Sequence, residues 1–335
     1  MIRLRRASGG SRNAFSRLLL IGAIGFLVAA LLAIAILWLS PGPKAGPHHL
    51  IIKEGSTLSA VAEQLDKAGA IPGNAFTFRA MAKLFGSGDP VQAGEFEIPK
   101  GMSAASILDL LQHGQPIQRL ITIPEGTPSI EVQEKLAATK LLSGPAPLPA
   151  EGSVLPDSYG YQRGESRADV LKRMQAAMDK LLAKLWPARK HTCPLGTKEE
   201  AVTLASIVEK ETAKPAERRM VAGVYCNRLR IGMKLDADPT VIYPITKGKP
   251  LGRRIKESEL HSDNPYNTYT HPGLPPGPIA NPGRESIKAV LNPAQTKALY
   301  FVADGTGGHV FAETLEEQNA NVKKWYAIRK ARGEM

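Results

Sequence analysis

The run Leu204-Ala205-Ser206-Ile207-Val208-Glu209-Lys210-Glu211-Thr212 decides how the rest of the chain is read. Thr197 followed by Glu200 is a capping-box signature, so a helix should begin there. Ala201, Leu204, Ala205 and Val208 recur at helical spacing and make one apolar stripe. Successive residues turn by about 100° on a helix, which puts Glu209 just off one border of the stripe and Glu211 off the other, with Lys210 pointing away. A carboxylate at such a border is partly desolvated, which favours its protonated form, the form a general acid needs near neutral pH. The bland alternative is a pair of solvated helix glutamates.

Downstream, Pro215 opens a second helix that ends near Gly232, a natural C-cap. Met220, Val224 and Asn227 share one face of it. An Asn on an apolar face must be hydrogen-bonded, so Asn227 either braces neighbouring backbone or orients the acid or the substrate. Residues 234–243 alternate and read as a strand or extended segment carrying Asp236, Asp238, Thr240 and Tyr243. Residues 266–279 hold too many prolines for a helix or a central strand. They form a stiff loop with Tyr266, Asn267, Tyr269 and Pro275, a composition that suits a glycan groove or, failing that, a rigid structural loop. Residues 285–291 predict a short helix. Residues 299–302 and 310–311 predict a hairpin with His309 at its turn, read as structural.

Upstream, 167–186 is an amphipathic helix, and Pro156-Asp157-Ser158 reads as a turn. The Pro/Gly-rich stretch 144–149 is the expected boundary between a module over 48–143 and a domain over 150–335. Three related segments start at Ile52, Ile98 and Ile123. Each is an extended apolar piece, a Gly turn and a hydroxyl residue suited to capping a helix. The matched helix positions are Val61 and Leu65, Ile107 and Leu111, Val132 and Leu136. Their unequal offsets exclude a solenoid. The first two resemble the strand-and-helix pattern of LysM carbohydrate-binding modules.

Residues 18–39 contain no charge. At 1.5 Å per residue they span roughly 33 Å, enough to cross a bilayer core. A stalk over 40–47 follows, and no small-x-small cleavage site. The net charge is +12, of which Arg3, Arg5, Arg6, Arg12 and Arg17 supply five in the tail 1–17. They place that end in the cytoplasm and everything after the helix outside the inner membrane. The basic remainder fits an anionic polymer, and no nucleic-acid signature is present. Cys193 and Cys226 are the only cysteines and no histidines cluster near them, so no metal site is expected; whether the two pair is open.

Seven pieces in order resemble the endolytic murein transglycosylase (YceG-like) family. They are Glu151-Gly152 with Pro156-Asp157-Ser158-Tyr159; Ala205 to Thr212; Asn227-Arg228-Leu229; Asp238 to Tyr243; Tyr266-Asn267-Thr268-Tyr269; Gly273 to Ile279; and Tyr300 to Ala303. The resemblance implies an α+β architecture: a single membrane helix, a small LysM-like βα module, then a mixed α+β catalytic domain. It implies lytic cleavage of the N-acetylmuramic acid–β-1,4–N-acetylglucosamine bond of peptidoglycan, leaving 1,6-anhydro ends. The catalytic residue falls on Glu209. Candidates for holding the glycan strand are Glu211, Asn227, Asp238, Thr240, Tyr243, Tyr266, Asn267, Tyr269 and Pro275. No cofactor is implied; peptidoglycan synthases are possible partners. Glu209 and Glu211 lie roughly 200° apart around the helix, which argues against them as the flanking pair of a hydrolase. The rivals are a lysozyme-like hydrolase, and a membrane-anchored wall-binding protein with no activity.

Overall fold

The computed structural model describes residues 10–334, with side chains from Ser16. The chain divides into two compact units, one ending at Gln118 and the other starting at Arg119.

The first unit begins with α1 (Gly10–Leu39). Its segment Ser16–Leu39, with mean hydropathy 2.9, is long and apolar enough to cross a membrane. Of the arginines expected to orient the helix, Arg3, Arg5 and Arg6 lie outside the described residues and Arg12 outside the described side chains. Next come β1 (His48–Ile52), α2 (Leu58–Lys67), α3 (Ala75–Phe85), β2 (Gly94–Ile98) and α4 (Ala104–His113). The strands β1 and β2 pair antiparallel, with Leu50 opposite Phe96. Val61, Leu65, Ile107 and Leu111 all enter one core with Phe78 and Phe96. Thr57 and Ser103 cap α2 and α4 through their hydroxyls, as their place after a Gly turn predicts.

The composition of 40–47 predicts a stalk, and the structure corrects this. Trp38 is 5% exposed and belongs to the core of the unit. The Gly42 N–H donates to Gly101 O at 3.2 Å, and the Gly101 N–H donates to Pro43 O at 2.9 Å. The apolar helix therefore runs straight into the module that follows it.

The second unit contains β3 (Arg119–Thr122), α5 (Ser129–Ala138), β4 (Ser158–Tyr161), α6 (Arg167–Leu185), α7 (Lys198–Glu211) and α8 (Arg218–Arg230). It continues with α9 (Asp238–Thr246), α10 (Glu257–Leu260), α11 (Arg284–Leu291), β5 (Tyr300–Ala303), β6 (His309–Ala312) and α12 (Leu315–Ala331). The third repeated segment belongs here, so the division falls before it and not at 144–149. β3 pairs with β4, Ile121 opposite Tyr159, and Val132 and Leu136 pack with Val154, Val170 and Met174. A strand joins the unit that supplies its partner, and turn composition carries no information about that partner. In this segment the cap position is Pro128, with no side-chain cap; Thr127 spends its hydroxyl on Pro124 O.

α7 is the axis of the larger core, with every residue from Ala201 to Val208 buried. The capping box is formed: the Glu200 N–H donates to Thr197 Oγ1 at 3.1 Å and the Thr197 N–H to Glu200 Oε2 at 3.3 Å. α8, α9 and α11 pack on α7. The stretch 234–243 is not a strand: Pro239 sits in the first turn of α9, where its fixed φ favours a helix and its missing N–H costs nothing. Cys193 and Cys226 form a disulfide, Cα–Cα 4.9 Å, which ties the loop before α7 to α8.

Candidate active site

Glu209 sits at the end of the buried run of α7, and its side chain is 6% exposed. Both oxygens accept hydrogen bonds: Oε1 from Arg218 Nη2 at 3.3 Å, and Oε2 from the Gly283 N–H at 2.8 Å. The same Nη2 donates to Glu125 Oε2 at 3.1 Å. One guanidinium nitrogen thus bridges two carboxylates. A Cβ on Gly283 would displace the Glu125 carboxyl group, and Gly126, whose φ of +72° favours glycine, passes the acid with its Cβ position 3.4 Å from Glu209 Cγ.

Asn281 sets this geometry. It is fully buried, and its amide nitrogen donates to Thr127 O at 2.9 Å while its Oδ1 accepts from the Val154 N–H at 2.9 Å. Its own carbonyl takes the Gly126 N–H at 2.9 Å. One side chain therefore staples the turn 124–128, the segment 151–154 and the loop 279–283. Ser206 of α7 holds the same loop, accepting the Ile279 N–H at 3.0 Å.

Glu211 leaves the opposite side of α7 and touches a different set of groups. Burial pushes its carboxyl up to about 7; a hydrogen bond from the Tyr225 hydroxyl opposes this and the nearby Asp238 carboxylate adds to it. Among the described residues nothing bonds Glu211 Oε1, which is buried. Glu211, Asp238 and Tyr269 line one cavity of about 450 Å³, walled on the far side by Trp325 and Arg329 of α12. The Tyr269 hydroxyl donates to Asp238 Oδ1 at 2.7 Å. The shelter expected for both glutamates thus takes two forms: Glu211 is desolvated, whereas Glu209 is enclosed by donors.

The other candidates separate. Tyr243 and Tyr266 form a ring pair, centroids 4.9 Å apart. Tyr243 also bonds Glu151, whose carboxyl burial raises. Thr240 and Asn267 are fully buried. The Thr240 hydroxyl donates to Ala237 O and meets Thr268 Oγ1, and Asn267 Nδ2 donates to Leu260 O and Ser262 O. These two brace loops and cannot reach a ligand, a correction to their reading as glycan contacts. Asn227 donates to Thr296 O and Ala298 O and accepts from Arg230, so of its two readings the bracing one holds. Pro275 is buried in its loop. His309 pairs with Glu217, Nδ1 to Oε2 2.8 Å, at the start of β6.

Glu125, Arg218, Asn281 and Gly283 did not stand out in the sequence. Glu125 reads there only as part of a strand–turn repeat, and Arg218 as a charge on a helix start. Their meaning depends on chain crossings that no local pattern encodes.

These features define a class: an α+β protein with an apolar helix ahead of a small two-stranded module, and a helical second unit that encloses one arginine-bound carboxylate. The YceG-like family model matches residues 50–324, and the chain belongs to that family. It is 31% identical over 321 residues to a Streptococcus pneumoniae protein named endolytic murein transglycosylase, covering 81% of this chain and 57% of that relative. It is 30% identical over 311 residues to the Bacillus subtilis protein of the same name, covering 83% of this chain and 84% of that one. The chain thus spans little more than half the length of the pneumococcal relative. A crystal structure of a YceG-like protein from Listeria monocytogenes superposes with a TM-score of 0.52 at 27% identity, covering 82% of this chain and 98% of that one.

Proposed function

We propose that this protein is an endolytic murein transglycosylase, cutting the N-acetylmuramic acid–β-1,4–N-acetylglucosamine bond within peptidoglycan strands and leaving 1,6-anhydro ends. Family membership and relatives bearing that name support it. The observation that carries it is the enclosed Glu209 with donors on both oxygens.

Glu209 must first take up a proton against the Arg218 guanidinium and the Gly283 N–H, which favour its charged form, and it then gives that proton to the glycosidic oxygen as the bond from C1 breaks. Arg218 and the Gly283 N–H then stabilise the carboxylate formed. That carboxylate takes the proton of the C6 hydroxyl on the same muramoyl ring, whose oxygen closes on C1. One carboxyl group serves both halves, because water is not the nucleophile. Tyr243, Tyr266, Tyr269, Asp238 and Glu211 are proposed to hold sugar units through ring faces and acceptors. The groove of about 470 Å³ beside Ser56, Thr57 and Gln112 supports a LysM-like glycan contact in the first unit.

α1 is proposed as a single-pass anchor in the inner membrane, with its arginine-rich end inside and both units outside. The Cys193–Cys226 disulfide supports an oxidising compartment. Peptidoglycan synthases are proposed as partners, since their product is the glycan strand this site accepts.

The test is product chemistry. Wild-type protein releases fragments whose muramoyl ends lack one water, and Glu209→Gln lowers their formation by about 10²-fold or more. Fragments with ordinary reducing ends would instead show a hydrolase. Unchanged cleavage by Glu209→Gln would remove Glu209 from the chemistry.

A further inference from the structure

We infer that the outward face of α3 rests on the bilayer surface where α1 emerges, so that the first unit is seated in the headgroup layer. The inference depends on the proposed membrane anchor.

α3 is amphipathic in an unusual sense. Phe78, Met81 and Ala82 enter the core, yet Phe76 is 70% exposed and Leu84 63% exposed. Phe76, Ala80 and Leu84 follow at i, i+4, i+8, which is one face of a helix. Lys83 adjoins it, and α3 contains no acidic residue. Large apolar side chains flanked by cations are the composition of a helix that lies in a membrane interface.

The occupant follows from α1. Trp38, one residue from the end of the apolar segment, packs on Phe78 of α3 with ring centroids 5.7 Å apart. Ile34, one turn earlier, packs against the same core. The Gly42–Gly101 and Gly101–Pro43 hydrogen bonds remove the slack that a stalk would provide. α3 is therefore held within about one helix diameter, roughly 10 Å, of the level at which α1 leaves the acyl region. Phe76 and Leu84 stand at the depth where Trp and Tyr belts of membrane proteins sit.

Depth-dependent quenching tests this with the full chain in lipid nanodiscs containing phosphatidylethanolamine and phosphatidylglycerol. Phe76→Trp and Leu84→Trp are each compared with the parent, and Leu27→Trp, in the middle of α1, reports the anchor with lipids brominated near the ends of the acyl chains. With lipids brominated near the glycerol backbone, the emission added at 76 and 84 should be quenched several-fold more than the parent's own emission. If position 27 is quenched and positions 76 and 84 are not, the anchor stands and the seating is wrong. A blue shift at 76 without quenching would show a protein covering the face, and also overturns it. If position 27 is not quenched, the anchor fails and the seating fails with it.

Discussion

Replacing Glu211 by Gln should make the protein more stable above neutral pH and leave it unchanged in acid. In the folded protein burial raises this carboxyl from 4.5 to about 7. The unfolded chain ionises it near the lower value. The folded state therefore holds a proton that the unfolded state has lost between these limits. Stability is fully present below about pH 4.5 and declines as pH rises through 7. The difference corresponds to about 3 kcal/mol at pH 8, as an upper figure, since each tenfold in proton affinity is worth about 1.4 kcal/mol. Gln has nearly the same shape, can still meet the Tyr225 hydroxyl and carries no charge at any pH. Variant and wild type should melt together at pH 4. At pH 8 the variant should melt higher by about 5–10 °C, given about 2–4 °C per kcal/mol for a unit of this size. Thermal unfolding followed by circular dichroism across pH 4–8 makes the measurement. Parallel curves for the two proteins would show that Glu211 is not desolvated, and would remove the contrast drawn here between it and Glu209.

Arg218→Gln removes the guanidinium that bridges Glu209 and Glu125, and should lower kcat about tenfold or more with little change in KM, as measured by release of anhydro-ended fragments. Asn281→Ala leaves the buried Val154 N–H without its acceptor and removes one of the donors to Thr127 O and to Glu151; it should cost about 3 kcal/mol in denaturant unfolding and lower activity by freeing Glu125 and Gly283. Reducing the Cys193–Cys226 bridge opens a loop of 33 residues and should destabilise the second unit by about 4 kcal/mol, seen as a lower Tm in reductant.

Much of the site's scaffold is legible locally. The Thr197–Glu200 capping box and the apolar spacing that follows place α7 correctly, and with it the opposite directions of Glu209 and Glu211. Both are short-range properties: a cap spans three residues and a helix turn fewer than four. Alternating polarity over 234–243 mimics a strand, but Pro239 has a ring that preselects the first turn of a helix.

By itself, then, the sequence determined the apolar helix at the N-terminus, the capped helices with their buried faces, the hairpin near the C-terminus and the position of the acid on its helix. Each follows from periodicities that a few neighbouring side chains impose on the backbone. Tertiary structure alone decided what surrounds that acid. The Glu209–Gly283 bond closes 74 residues, Arg218–Glu125 closes 93 and Asn281–Thr127 closes 154. It also decided that the third βα segment joins the second unit, and that Trp38 docks the apolar helix α1 on Phe78. Such contacts depend on which buried surfaces meet when the core closes, and local spacing carries no record of that choice.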